Sequence, residues 1–517
     1  MLAVASVTAG CSRAVPSDPP PLDGMVAAPA PAKPNDLPRV ENAPPTTRLA
    51  DRETWDVLRI EGARAGHART TIRTITQSGR EVIKLDQTMH LAVRRFNDTT
   101  EQDVHSTCTE TPKGRLIDFR TEIRQGRVPL VTTGRVEGDR LHLEISTQGK
   151  TIASSLAWSS ELGGLYAAEA SLLRRPMKPG EKRTLRHLAV DNQVSTTEMT
   201  AIDYEPVQLL AGSFELLRIE TVQTLANGQK LKGTAWTDRS GDVLKTRMAL
   251  MNIEMLRATK DLAMAKSDLP MIDLGQGIAV KLDRPLAKAH ETKRVRYRVR
   301  LDEGDPAAVF PSTASQQVKK ADAHTAEITV RALRPGDPPV NPDAPDAPPS
   351  DADRQPNNFI QSDDPQIVAD ARAAAGKETD PWRVAAALER HAYEAVTQKG
   401  FKQAFATAAE VARTREGDCK AHAVYLAALA RARGIPARMA VGLVYMPRSQ
   451  AFGYHAWTEV YIDKRWIALD GTLAKGGIGG GHLKLAHSNM QGTTAYSSFL
   501  PVLEVIGKLK IEVLEAE

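Results

Sequence analysis

Cysteine is scarce in this chain of 517 residues: only three occur, at positions 11, 108 and 419. That excludes a disulfide framework and leaves each thiol to be explained singly. Long apolar runs are also missing. Nothing reaches the roughly 20 consecutive apolar residues that a bilayer-crossing helix requires. Charge of one sign is not concentrated either, because 68 Lys and Arg stand against 63 Asp and Glu, a net of +5. Without a dense basic block there is no footprint for nucleic acid, and none is expected as a partner. Apolar residues at 41% and charged residues at 25% are ordinary for a soluble globular protein. The length implies about three folded units, at ~150 residues each.

The first ten residues, MLAVASVTAG, are apolar or small and run into Cys11. This resembles the lipobox of bacterial lipoproteins, in which the cysteine becomes a lipid-bearing N-terminus. Three features depart from it: no basic residues lead, the apolar stretch is short, and Thr8 stands where leucine is usual. A start upstream of Met1 would account for all three. From Val15 to Pro45 ten prolines lie among Ala, Asp and Lys. Such a segment stays extended and reads as a tether. Residues 1–46 are therefore expected to be a signal and spacer, Cys11 a candidate lipidation site for membrane anchoring, and the cell envelope the location.

From 47 to 270 short alternating stretches are broken by turns such as Ser78-Gly79 and Ser240-Gly241-Asp242, which predicts an antiparallel β-rich domain. Asn227-Gly228 is expected to form a type I′ hairpin turn, and Leu165 to Arg174 a short helix. Cys108 falls in this region with no His or acidic partner recognisable nearby, and it reads as a buried, inert thiol. A smaller β-unit spans 271–334. There Val295, Tyr297, Val299 and Leu301 alternate with four arginines, 294 to 300, and the arginines read as the wet face of a half-buried strand. Residues 335–356 carry eight prolines and are expected to be a linker.

The final unit, 357–517, opens with helix. Asp380-Pro381 starts a segment whose apolar positions share one face, predicted to continue to Gly400. Residues 417 to 436 read GDCKAHAVYLAALARARGIP. Asp418 suits the N-cap of a helix, while Gly434 and Pro436 close its far end. Cys419 then lies at a helix N-terminus, where the macrodipole favours thiolate. The carboxylate of Asp418 opposes this, so a cationic partner is needed.

Ala437 to Tyr445 reads as a strand, followed by a loop with Pro447 and Gly453. Tyr454 to Ile462 and Trp466 to Asp470 then read as a hairpin. If its turn is Asp463-Lys464, residue 462 faces 465 and Asp470 lands on the same face as His455, a diagonal neighbour about 7–8 Å away at the backbone. A three-residue turn would put Asp470 on the opposite face.

The segments GDC at 417–419, GIPAR at 434–438, YHAWTEVY at 454–461 and WIALDGT at 466–472 resemble the transglutaminase-like superfamily, papain-related cysteine enzymes. The resemblance covers roughly 357 to 490. It implies an α+β fold: a cysteine-bearing helix against an antiparallel sheet, here preceded by β-rich domains. It also implies Cys419 as nucleophile, His455 as general acid/base and Asp470 as its orienter, acting on peptide or protein amides with no metal or organic cofactor. Gly471 departs from the family's usual proline, which bears on the rigidity of that loop.

Other residues compete within the motif. His422 follows Cys419 by three positions but is poorly aimed across a substrate, and reads as helix packing or capping. Trp457, Trp466 and Arg438 read as packing. His482 and His487 follow the glycine run 476–481; as a metal pair they lack a third ligand and read as loop histidines. Gln403 is a candidate second oxyanion donor beside the Cys419 backbone N–H. Hydrolysis, crosslinking to amines and non-catalytic peptide binding in the envelope remain three distinct readings of one motif.

Overall fold

The computed structural model describes residues 49–517 except 96–97, 148–149, 190, 266–278, 343–345, 401–404 and 492–499. Cys11, the tether and Gln403 lie outside the described residues.

Fourteen strands, from Arg52–Ile60 to Ile253–Ala258, form one antiparallel sheet among the described residues. The first strand pairs with both the second and the last, Trp55 lying opposite Arg69 and Ala258. The edges are consequently Lys150–Ala157 and Lys182–Leu188, and the helix Ala167–Arg174 falls between them in the chain. Alternation builds these strands: in Arg140–Thr147, Leu141, Leu143 and Ile145 are buried while Arg140, His142 and Glu144 face outward. The Asn-Gly hairpin corrects one expectation. Leu225 N donates to the Gln229 carbonyl at 2.9 Å, the Leu225 carbonyl accepts from Gly228 N at 2.9 Å, and of the turn residues only Gly228 has positive φ, at 83°. The loop thus has three residues, with glycine in the left-handed position, so Asn227 escapes the strained φ that a type I′ turn would impose. The thiol of Cys108 is buried against the Glu110 carboxylate, 3.8 Å away. Burial first, and that charge second, push its pKa up, which keeps it protonated.

The stretch after 279 is assembled from distant pieces. Arg294–Leu301 pairs with Thr325–Arg331 on one side and with the last strand of the chain, Leu509–Ala516, on the other. Residues 509–516 therefore complete the small β-sheet instead of extending the unit that begins at 357. The charge pattern suits this pairing: Arg298 meets Glu512 at 3.1 Å, and Arg294 meets Glu517 at 2.8 Å. The arginine row is a half-exposed face, as alternation requires.

The proline-rich stretch 335–356 is more than a spacer. Asp346 accepts from the backbone of Trp466 at 2.9 Å, the Ala347 carbonyl accepts from the Trp466 indole at 2.9 Å, and the Asp337 carbonyl accepts from Arg465. Extended proline-rich backbone has no internal hydrogen bonds, so its carbonyls are available to a neighbouring hairpin.

Helices Pro365–Ala375, Pro381–Ala395, Ala408–Thr414 and Cys419–Ala432 pack with a sheet ordered Val280–Lys281, Ala451–Ile462, Ala437–Met446, His482–Ser488. Arg465–Leu469 pairs onto Ala451–Ile462. The helix begun at Pro381 stops at Ala395, short of the expected Gly400, because the following backbone bonds elsewhere: Gln398 N donates to the Arg415 carbonyl at 3.0 Å. No helix among the described residues is long and apolar enough to cross a membrane.

Candidate active site

The Cys419 helix is the centre of this unit. The helical spacing of Ala421, Val424, Tyr425, Ala428, Leu429 and Ala432 in the sequence marks one apolar face, but every residue from Cys419 to Arg431 is buried and Ala432 is only partly so. Alanines on the other faces let neighbouring helices approach closely. Burying Val424, Leu426 and Leu429 contributes about 1.5–3 kcal/mol each. Asp418 caps the start, accepting from Lys420 N at 2.9 Å. A left-handed Gly434 ends the helix, with Ile435 N donating to the Ala430 carbonyl at 3.0 Å in a Schellman arrangement. The Lys420 ammonium is ion-paired with Asp418 in a buried contact, which offsets part of the charge that opposes a Cys419 thiolate. Sequence reasoning missed this pair. An i, i+2 spacing places two side chains on different helix faces, and the contact works only because Asp418 is a cap outside the helix.

The hairpin follows the predicted parity. Ile462 pairs with Arg465 and Thr458 with Leu469, while Asp463 and Lys464 have φ of 50° and 60°. Both turn residues are left-handed, as a two-residue hairpin turn requires. The strand carrying His455 begins at Ala451, so Gly453, expected in the preceding loop, is part of it. Asp470 follows directly after Leu469 on the face of His455, and their side chains meet at 2.7 Å, His455 Nε2 to Asp470 Oδ2. Both are buried. Burial alone would raise the Asp470 pKa. The charge of and hydrogen bond from His455, with a further hydrogen bond from His482, hold it well below the usual carboxylate range.

The Cys419 helix packs on the sheet that carries this pair. Thr458 Oγ1 donates to the Ala423 carbonyl at 2.9 Å, and Gly471, next to Asp470, packs on His422. Lys420 and His455 both line a small cavity with Val441, Gly442, Tyr454, Ala456 and Val502. His422 turns back to its own helix, its Nδ1 bonding the Asp418 carbonyl at 2.8 Å beside the intrahelical bond from its N–H, a local packing contact. Trp457, Trp466 and Arg438 are buried, and Arg438 lies 3.8 Å from the Trp466 ring centroid while bonding Glu459 at 2.8 Å.

His482 corrects the sequence reading. It begins a strand, is fully buried, and its Nε2 lies 3.1 Å from Asp470 Oδ2. His455, Asp470 and His482 thus form a compact trio with ligand atoms within 4.8 Å of one another. His487 is exposed and takes no part. The signal for His482 lay in HLKLAHS, whose alternation is strand-like, but the preceding glycines carry no direction. Gly442 makes room for this strand: a Cβ there would stand 2.0 Å from the Leu483 carbonyl oxygen.

Glu389, on the Pro381–Ala395 helix, was also missed. Its carboxylate accepts from Asp470 N at 2.8 Å, Gly476 N at 2.7 Å and Gly477 N at 3.2 Å. Burial raises its pKa to about 7 against the pull of these N–H groups. Thr472 completes the turn, its N–H and Oγ1 bonding Asp470 Oδ1 at 2.8 and 2.6 Å. The loop is thereby pinned without the family's proline, and a Cβ at Gly471 would make only ordinary contacts, the nearest 3.4 Å.

Comparisons with known proteins come after this geometry. No curated protein matches the chain. Among solved structures, the chain is similar to the periplasmic domain of TgpA from Pseudomonas aeruginosa, at 18% identity over 38% of this chain and 83% of that one, TM-score 0.24. It is also similar to a β-barrel-like protein of a domain of unknown function from Brucella abortus, at 11% identity over 41% and 95%, TM-score 0.32. A structure described as a TGase matches at 18% identity over 38% and 55%, TM-score 0.18. Residues 369–471 match the core model of the transglutaminase-like superfamily, and the chain carries a domain of that superfamily.

Proposed function

We propose that this protein performs cysteine-based acyl transfer on peptide or protein amides, with Cys419 as nucleophile, His455 as acid/base and Asp470 as orienter. The observation that carries the reading is the buried 2.7 Å contact between His455 Nε2 and Asp470 Oδ2, on a sheet packed against the helix that Cys419 begins. Because Nε2 addresses the carboxylate, Nδ1 is the nitrogen that exchanges a proton with the thiol. The thiolate attacks the carbonyl carbon, an S–C bond forms, and the oxyanion is met by the Cys419 backbone N–H. The C–N bond then breaks as Nδ1–H protonates the departing amine, leaving a thioester. Water, deprotonated by His455, releases the acid and restores the thiol.

Hydrolysis is the outcome we favour over transfer to an amine. Incubation with a peptide library, with and without an amine acceptor, tests this: cleaved peptides in both arms are expected, and amine-tagged product without cleavage would reverse the assignment to crosslinking. Peptides bound but unchanged would favour a non-catalytic binding protein. We also place the protein in the cell envelope, lipid-anchored at Cys11. Cys11→Ser is expected to move it from the membrane fraction to the soluble one, and an unchanged distribution would refute the anchor.

A further inference from the structure

Asp470 serves two histidines with one oxygen. His455 Nε2 lies 2.7 Å from Oδ2 and His482 Nε2 lies 3.1 Å from the same atom. An ionised carboxylate only accepts, so each imidazole presents an N–H there. His482 is fully buried, and the backbone of Gly479 is a second hydrogen-bonding neighbour of its ring beside Asp470. Burial also lowers its pKa. An Nε2–H of His482 directed at Asp470 satisfies these observations. Its ring is wedged edge-on against Trp457, centroids 5.3 Å apart, with His455 at 6.0 Å and His290 at 5.8 Å.

We propose that His482 is a positioning residue for the Cys419 reaction, a role that rests on the acyl-transfer reading above. Its N–H fixes the Asp470 carboxylate and draws charge from Oδ2. The His455 imidazolium is then stabilised less than a lone carboxylate would stabilise it, and gives its proton to the leaving amine more readily. The groups facing His482 are Asp470, His455 and His290, with Glu389 one hydrogen bond beyond Asp470.

Two variants and one spectroscopic measurement test the proposal in the full chain. His482→Gln keeps an N–H near the Nε2 position, whereas His482→Leu keeps bulk and removes the donor. Alkylation of Cys419 by iodoacetamide under reducing conditions, resolved by peptide mass spectrometry, is followed from pH 5 to 10. Relative to wild type, the Leu variant is expected to be alkylated no more slowly at pH 7, because its imidazolium is held more strongly. Its upper inflection, where the imidazolium is lost, should move to higher pH, and the Gln variant should restore the wild-type profile. A Leu profile that superimposes on wild type, with only a lower melting temperature, would reduce His482 to packing. Should the Leu variant not fold, ¹⁵N NMR of wild type decides: a neutral Nε2–H imidazole from pH 5 to 9 is expected, and a ring that charges near pH 6.5 or carries its proton on Nδ1 would overturn the proposal. A wild-type Cys419 no more reactive than free cysteine would instead sink the acyl-transfer reading, and this inference with it.

Discussion

Glu389→Gln should change how stability depends on pH. Glu389 is buried, bonds three backbone N–H groups of the Asp470 loop, and has its pKa raised from 4.5 to about 7. A carboxyl whose pKa rises on folding contributes its stability in full below the unfolded value, and that contribution is lost as pH rises through the folded value. The window is therefore pH 4.5 to about 7. At about 1.4 kcal/mol for each pH unit of separation, the wild type should lose on the order of 3 kcal/mol across it. Glutamine does not titrate and imitates the neutral form. Urea unfolding of both proteins at pH 5, 6, 7 and 8, followed by the fluorescence of the buried tryptophans, gives the comparison. The stability difference, wild type minus variant, is expected to fall by on the order of 3 kcal/mol between pH 5 and pH 8. Parallel curves would mean that Glu389 stays ionised throughout, held by its three donors, and would refute the reasoning.

Three further outcomes follow from the geometry. Gly442→Ala places a Cβ 2.0 Å from the Leu483 carbonyl and should cost about 2–3 kcal/mol, read as a lower urea midpoint, by pushing away the strand that bears His482. Thr472→Val removes the 2.6 Å bond to Asp470 Oδ1 and should cost about 1–2 kcal/mol while lowering kcat; unchanged turnover would show that the Thr472 N–H alone fixes the carboxylate. Arg298→Ala on the half-exposed ladder should change stability by less than about 1 kcal/mol, and a larger loss would mean that the pairing of the small sheet depends on charge.

What the sequence disclosed and what it hid have physical causes. The approach of His455 and Asp470 was legible because side chains alternate strictly along a strand and a two-residue turn fixes the register. The Cys419 helix was legible because its cap and its glycine stop are local signals. Pairing between distant segments was not. Nothing near Arg294–Leu301 announces that its partner is Leu509–Ala516, although the alternation of Lys510 and Glu512 with Ile511 and Val513 marks the latter as a strand. His482 and Glu389 stayed hidden for a related reason. One follows glycines whose direction is undetermined, and the other looks like any helical glutamate until the loop it holds is folded onto it. The proline-rich stretch 335–356 misled because composition reports extended backbone but not what that backbone bonds.

The central claim is that His455 and the helix start make the Cys419 sulfur anionic near neutral pH. Peptide-resolved iodoacetamide labelling at pH 6, under reducing conditions, measures this in wild type and in His455→Ala. The account predicts that Cys419 in wild type is labelled well ahead of free cysteine and that His455→Ala abolishes the advantage. Equal labelling of Cys419 and free cysteine, unchanged by the substitution, would contradict it.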